Sequence, residues 1–253
     1  MKTGILFDLD GTLLDTLEDL LAATNYALKV HGYPGRTLPE LRRFVGNGAY
    51  NQMRLSCPDG TAPEQIQAVL DTYKPYYTDH CQIKTRPYPG ILAVLKQLQE
   101  KYPLAIVSNK PDAAVKALCA EHFPGIYALG ETPDCPRKPA PDMLFKAMKA
   151  IGADNCIYVG DSEVDILTAK NAGFPCISVL WGFRDKEYMP DATIFCEKVE
   201  ELLRCIELSS IIRRGGAYYR MIATGNHDIL GFAARSTTLP LKLQCNLGFS
   251  EGK

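Results

Sequence analysis

Short apolar runs alternate with amphipathic stretches along most of this 253-residue chain. Ile5-Leu6-Phe7, Leu104–Val107, Ile126–Leu129, Cys156–Val159 and Cys176–Leu180 are each bounded by polar, Gly or Pro positions and read as short buried strands. Thr193–Phe195 is a last short candidate. Helical patterns lie between them. Pro89–Lys101 carries Ile91, Leu92, Val94, Leu95 and Leu98 on one face. Pro111–Glu121 has Pro near its first turn. Asp142–Ile151 follows, and Glu163–Ala172 is closed by Gly173. Apolar strands alternating with helices predict an α/β fold, with a parallel sheet covered on both faces.

One block interrupts the alternation. Asp15, with Glu18 three residues on, reads as an N-cap. Leu17, Leu20, Leu21, Thr24, Ala27 and Leu28 then follow helical spacing as far as Gly32. Leu38–Phe44, Gly48–Leu55 and Pro63–His80 are further helical stretches, and no convincing strand appears before about Thr85. Residues 15–85 are therefore expected to form a helical cap inserted into a core made of residues 1–14 and 86–205. Residues 206–253 differ again. Arg213, Arg214, Arg220, Arg235, Lys242 and Lys253 outweigh Asp228 and Glu251, and Gly215-Gly216, Gly225 and Gly231 break any helical period. A poorly ordered extension is expected there, dispensable for turnover, with a dimer or partner contact as the alternative.

In open parallel sheets ligands bind outside the carboxyl ends of the strands, and those ends carry the chemistry here. The first strand runs into Asp8-Leu9-Asp10-Gly11-Thr12. Residues two apart on a strand share a side, so Asp8 and Asp10 can face one small volume, and Gly11 allows a sharp turn. Leu104–Val107 ends in Ser108-Asn109-Lys110. Cys156–Val159 ends in Gly160-Asp161-Ser162, with Asp165 in the first turn of the next helix. Lys138, ahead of another helix, can reach the same edge. Singly these read as turns, caps and solvated loops. Together, Asp8, Asp10 and Asp161 supply oxygens for a hard cation such as Mg²⁺. Lys138, the Ser108 hydroxyl and the loop N–H groups suit a phosphate. An EF-hand is excluded, because Thr12 and Leu13 stand where its loop needs an acid or amide and then Gly.

Composition narrows the classes. The apolar share is 46%, the charged share 23% and the net charge −1, so no basic field points to nucleic acid or an anionic membrane. No apolar run approaches the roughly 20 residues of a membrane span, and no secretory pattern opens the chain. The nine cysteines form no Cys-x-x-Cys, as fits reduced thiols in the cytoplasm. The four histidines show no metal-ligand spacing.

Asp8-Leu9-Asp10-Gly11-Thr12, Ser108, Lys138 and Gly160-Asp161-Ser162-Glu163-Val164-Asp165 resemble, in order, the four motifs of the haloacid dehalogenase-like (HAD) phosphatase superfamily. The likeness covers about residues 3 to 205. It implies a Rossmann-like core and an aspartyl-phosphate mechanism. Asp8 would attack phosphorus. Asp10 would protonate the leaving oxygen and then deprotonate the hydrolytic water. Ser108 and Lys138 would hold the phosphoryl group, with Thr12 and Asn109 beside them. Asp161 would ligate Mg²⁺ together with Asp8 and Asp10, and Asp165 would support that site. Asp10 also argues against a dehalogenase, which has no leaving oxygen to protonate. Phe44-Val45-Gly46-Asn47-Gly48-Ala49 resembles the cap loop of phosphoglycolate phosphatases, which would put Gly46, Asn47 and Gly48 on the substrate; a plain turn between cap helices is the alternative. The resemblance implies a small phosphorylated metabolite as partner, acted on by a monomer or homodimer. Pyrophosphatase, nucleotidase, sugar phosphatase and a silent phospho-ligand-binding regulator remain alternatives.

Overall fold

The structure, a computed structural model, describes residues 2–214 and 221–223. Its strands are β1 (Thr3–Phe7), β2 (Leu14–Asp15), β3 (Arg86–Pro87), β4 (Leu104–Pro111), β5 (Tyr127–Glu131), β6 (Asn155–Gly160), β7 (Cys176–Val179), β8 (Ile194–Cys196) and β9 (Met221–Ala223). All but β2 and β3 form one sheet in the order β5-β4-β1-β6-β7-β8-β9, and every neighbouring pair in it is parallel. The chain runs outward from β1 through β4 to β5, then returns to β6 on the other side of β1. This reversal places the carboxyl ends of β4, β1 and β6 around one crevice.

Alternation along β1 sorts the core into two layers. Ile5 and Phe7 join a cluster with α5 (Ile91–Gln99), α6 (Asp112–His122) and α9 (Leu202–Arg214). Leu6 faces α7 (Asp142–Ala150) and α8 (Glu163–Ala172). The expected α/β parallel-sheet core is therefore present. The inserted block holds α1 (Leu17–Val30), α2 (Leu38–Phe44), α3 (Gly48–Ser56) and α4 (Pro63–His80). Its apolar faces, through Leu20, Met53, Tyr73 and Tyr77, continue the Ile5 cluster rather than forming a separate core.

Two local readings differ from expectation. Asp15 does not cap α1: it lies in β2, which pairs antiparallel with β3 where the chain leaves and re-enters the core. Thr16 takes the cap position, and its hydroxyl is turned to Asp10 instead. The second concerns the end of the core. The break expected at residue 205 falls inside α9, whose Ile206 and Ser209 are buried, and β9 adds a strand beyond β8. The basic, glycine-broken composition of that stretch hid the apolar face of the helix. The remainder of the extension, on which the expectation of poor order rests, lies outside the described residues. Among the described residues no helix is long and apolar enough to cross a membrane. The eight described cysteines are buried, and none of them forms a disulfide.

If α9 is part of the core, deleting its buried side-chain volume must destabilise the whole fold. Ile206→Ala is expected to cost about 2–5 kcal/mol in denaturant unfolding. A change below about 0.5 kcal/mol would place α9 outside the cooperative unit.

Candidate active site

The loop after β1 brings its acids to the crevice through β1 itself. The Asp8 N–H still donates to Val159 O at 2.8 Å, so Asp8 extends the sheet before the chain turns. Gly11 turns at φ +80°, and a Cβ there would collide with the Asp161 carboxylate; Gly182 packs against both Asp161 and the Gly11 carbonyl with as little room. Asp161 ends β6 and is fixed by the Phe183 N–H at 2.6 Å on Oδ2. Asp165 sits in the first turn of α8. Its Oδ2 accepts from the Ser162 N–H at 3.1 Å and from the Ser162 hydroxyl at 2.6 Å, a capping box.

Lys138 reaches into this group with its ammonium buried. Nζ lies 2.9 Å from Asp8 Oδ1 and 2.8 Å from Asp165 Oδ1, and it donates to the Tyr158 hydroxyl at 2.9 Å. Tyr158 in turn donates to Asp165 Oδ1. Asn109 holds the lysine from behind. Its Oδ1 accepts from the Lys138 N–H at 2.9 Å, and its Nδ2 donates to Lys138 O at 3.0 Å and to Gly46 O in the cap at 3.3 Å. The expectation that Asn109 contacts substrate thus meets a side chain already spent on the backbone.

Electrostatics sharpens the picture. Asp8, Asp161 and Asp165 can each present an oxygen within 4.8 Å of the others, all buried. Burial pushes the Asp8 carboxyl well above the usual carboxylate range; Lys138 opposes this, and Asp165 and Asp161 add to it. Burial, then Asp165, pushes Asp161 up to about 7. Burial would lower Lys138, but Asp165 and Asp8 outweigh it and hold the ammonium charged. Three carboxylates against one ammonium leave two uncompensated negative charges, the charge of a divalent cation. Carboxylate oxygens around a concave point are the donor set of hard cations such as Mg²⁺, so these residues fit such an ion. Asp10 was expected among its ligands but stands apart. Its Oδ1 accepts from the Thr16 hydroxyl at 2.6 Å and faces Lys110 Nζ at 3.1 Å.

These groups open onto one cavity of about 40 Å³, roofed by the cap. Asp8, Asp10, Gly46, Gly48, Ser108, Asn109, Lys138 and Asp161 line it; Thr12, Asn47 and Asp165 do not. Thr12 is fully buried, with its hydroxyl unpartnered among the described residues and its carbonyl bonded by the Trp181 indole. Asn47 is the exposed N-cap residue of α3. Lys110, Tyr158, Phe183 and Arg184 are site residues that the motifs did not single out. A tyrosine inside an otherwise apolar strand was the one available signal, since a buried hydroxyl needs a partner.

The cap is held by a reciprocal pair of arginines. Arg42 of α2 donates to Phe183 O at 2.7 Å and to Gly182 O at 3.2 Å. Arg184 of the core donates to Arg42 O, and to Val45 O at 2.7 Å, and pairs with Glu163 at 3.1 Å.

Comparison with known proteins matches this arrangement. The profile of the haloacid dehalogenase-like hydrolases covers residues 5–179. The chain belongs to that family. It is 31% identical, over 82% of its length and 81% of the relative's, to phosphoglycolate phosphatase 1 of Pseudomonas aeruginosa. It is 35% identical to the phosphoglycolate phosphatase of Mesorhizobium japonicum, over 75% of this chain and 89% of that one. A solved structure from Lactobacillus delbrueckii subsp. bulgaricus, 40% identical, superposes with a TM-score of 0.76 over 81% of this chain and 99% of its own. The acid cluster stands at the carboxyl edge of this parallel sheet.

The charge excess has a measurable consequence. With its folded pKa above the ordinary carboxylate value, Asp161 binds more proton folded than unfolded between about pH 4 and about pH 7. Stability of the metal-free hydrolase should therefore fall as pH rises through that window, relative to Asp161→Asn. Mg²⁺ should restore it, more at about pH 8 than at about pH 5, because only the ionised cluster binds it. Melting temperatures in chelator that rise relative to the variant across the window would contradict this.

Proposed function

We propose that this chain is a Mg²⁺-dependent phosphatase that cleaves 2-phosphoglycolate through a phosphorylated Asp8. Its class, a phosphoric monoester hydrolase, accords with the family and with the relatives named above. The observation that carries the reading is the shared cavity: Asp8, Asp10, Ser108, Lys138 and Asp161 all line one small volume beneath the cap.

The roles follow from the contacts. Both contacts of the Asp8 carboxylate, from the Leu9 N–H and from Lys138, fall on Oδ1, which leaves Oδ2 to attack phosphorus. The new Oδ2–P bond forms as the ester P–O bond breaks, and Asp10 gives its proton to the leaving oxygen. Asp10 next takes a proton from water, whose oxygen attacks the same phosphorus. The acyl-phosphate P–O bond breaks, and inorganic phosphate and free Asp8 result. Lys138 and the Ser108 hydroxyl hold the phosphoryl oxygens between these steps. Asp8 and Asp161 would hold the divalent ion, which supplies positive charge against the phosphoryl oxygens.

Substrate size rests on the cavity. By the same measure one water needs roughly 10–15 Å³, so about 40 Å³ gives room on the scale of a few waters. Pockets for drug-sized ligands run to roughly 300–1,000 Å³, so the cavity favours a small ester over a nucleotide. Gly46 and Gly48, both at positive φ, bring bare backbone to the cavity wall.

Two measurements test the proposal. Asp8→Asn should abolish both turnover and phosphoenzyme. Asp10→Asn should slow turnover by roughly 10²–10⁴ yet still label Asp8 from an activated aryl phosphate. A phosphoryl group found on any other residue would refute the roles. In a panel of phosphate esters with Mg²⁺, kcat/KM should be highest for 2-phosphoglycolate and collapse in excess chelator. A preference for nucleotides or pyrophosphate would overturn the substrate and leave the phosphatase standing.

A further inference from the structure

We propose that Lys110 is the specificity residue of this site, the cation that recognises a second negative charge on the substrate next to the leaving oxygen. The inference deepens the proposed function and rests on Asp10 facing the leaving oxygen.

Three cationic side chains line the cavity, Lys110, Lys138 and Arg184. An ammonium has three donors. Lys138 faces Asp8, Asp165 and Tyr158, and so belongs to the nucleophile and the phosphoryl group. Arg184 directs four of its five N–H groups to Glu163 and to the carbonyls of Arg42, Arg43 and Val45, and none of these bonds reaches Asp10. Lys110 is different. Its ammonium, 3% exposed, meets Asp10 Oδ1 at 3.1 Å and donates to the hydroxyl of Tyr77, which descends from α4 of the cap. Nζ also lies 4.3 Å from the centre of the Tyr77 ring. One N–H remains for a ligand.

Position then selects the ligand. An ester oxygen that takes its proton from Asp10 lies against the carboxyl that Lys110 touches. In a phosphorylated 2-hydroxy acid the carboxylate carbon is two bonds from that oxygen, so its oxygens fall within reach of the same ammonium. The transferring phosphoryl group stays with Lys138 and Ser108. Two lysines thus read two anions at short spacing, and the one nearest the cap completes its environment only when Tyr77 is in place. A neutral tail would leave a desolvated ammonium one partner short, which discriminates strongly against it.

The test compares 2-phosphoglycolate with its neutral, nearly isosteric amide, O-phosphoglycolamide. Wild type should favour the acid by about tenfold or more in kcat/KM, as one charge-assisted hydrogen bond supplies. Lys110→Met should bring that ratio close to one, mainly by raising KM for the acid, and Lys110→Arg should recover part of it. Equal losses on both esters in Lys110→Met would overturn the assignment, leaving Lys110 to order Asp10 alone. If Lys110→Met does not fold, a wild-type ratio within about twofold overturns it just as firmly. A different anionic ester as best substrate, with its preference over the matching amide lost in Lys110→Met, would overturn the phosphoglycolate reading and support this one.

Discussion

Three buried carboxylates converging on one lysine are the constraint on which the rest of this structure depends. Asp8 comes from the end of β1, Asp161 and Asp165 from the end of β6 and the first turn of α8, and each would rather be in water. They stay together because each is held by something that cannot easily move. Asp8 continues the β1–β6 ladder. Asp165 doubles as the capping residue of α8. Asp161 packs against Gly11 and Gly182, where any side chain would collide with it. Lys138 is in turn fixed by two backbone bonds to Asn109 and by Tyr158. Removing one partner of such a group leaves a buried charge unmatched, at a typical cost of about 3–5 kcal/mol. The remaining excess of negative charge suits the site to a hard cation rather than to a salt-bridge core.

The same rigidity links the cap to the chemistry. The loop that follows β7 does two things at once: the Phe183 N–H orients Asp161, and the Phe183 and Gly182 carbonyls receive Arg42 from the cap. Arg184 returns the contact by binding cap carbonyls just ahead of Gly46. Guanidinium suits this exchange because its fork of donors can hold several carbonyls in fixed geometry. Charge-assisted bonds contribute about 1.5–3 kcal/mol apiece when partly buried, so a few of them are enough to bias a cap between open and closed. Substrate enclosure and the orientation of Asp161 therefore share one short segment.

Much of this was legible in the sequence, for a physical reason. Strands of a sheet buried on both faces must be apolar throughout, so β1, β4 and β6 stood out, and the polar groups after Phe7, Val107 and Val159 were marked as strand ends. The residues that escaped notice act in ways that leave little trace in residue type. Phe183 contributes a backbone N–H, which any residue but proline could supply. Asn109 was taken for a substrate ligand because its amide suits that role, and only the fold shows the amide turned onto Lys138. Asp15 has the chemistry of an N-cap, but β2–β3 pairing claims it. Ile206 was grouped with a basic extension by residues that lie further along the chain, while its own side chain is buried in the core.

On the proposed assignment of Lys110, charge spacing would make so small a site selective. Two negative groups close together on one substrate repel each other in solution and need matching cations to be brought into a low-dielectric cavity. Lys138 and Lys110 are both buried there, each already partnered by an acid of the chain, Asp8 or Asp10. Each lysine is thus ordered by its acid before substrate arrives, while the Asp8–Asp161–Asp165 cluster keeps its excess of negative charge. A single-anion ester matches only one of those cations, while a long ester matches both only if its tail clears Tyr77 and the Gly46–Gly48 loop. Discrimination then comes from rejection as much as attraction: the roof excludes bulk, and an ammonium short of a partner penalises neutrality.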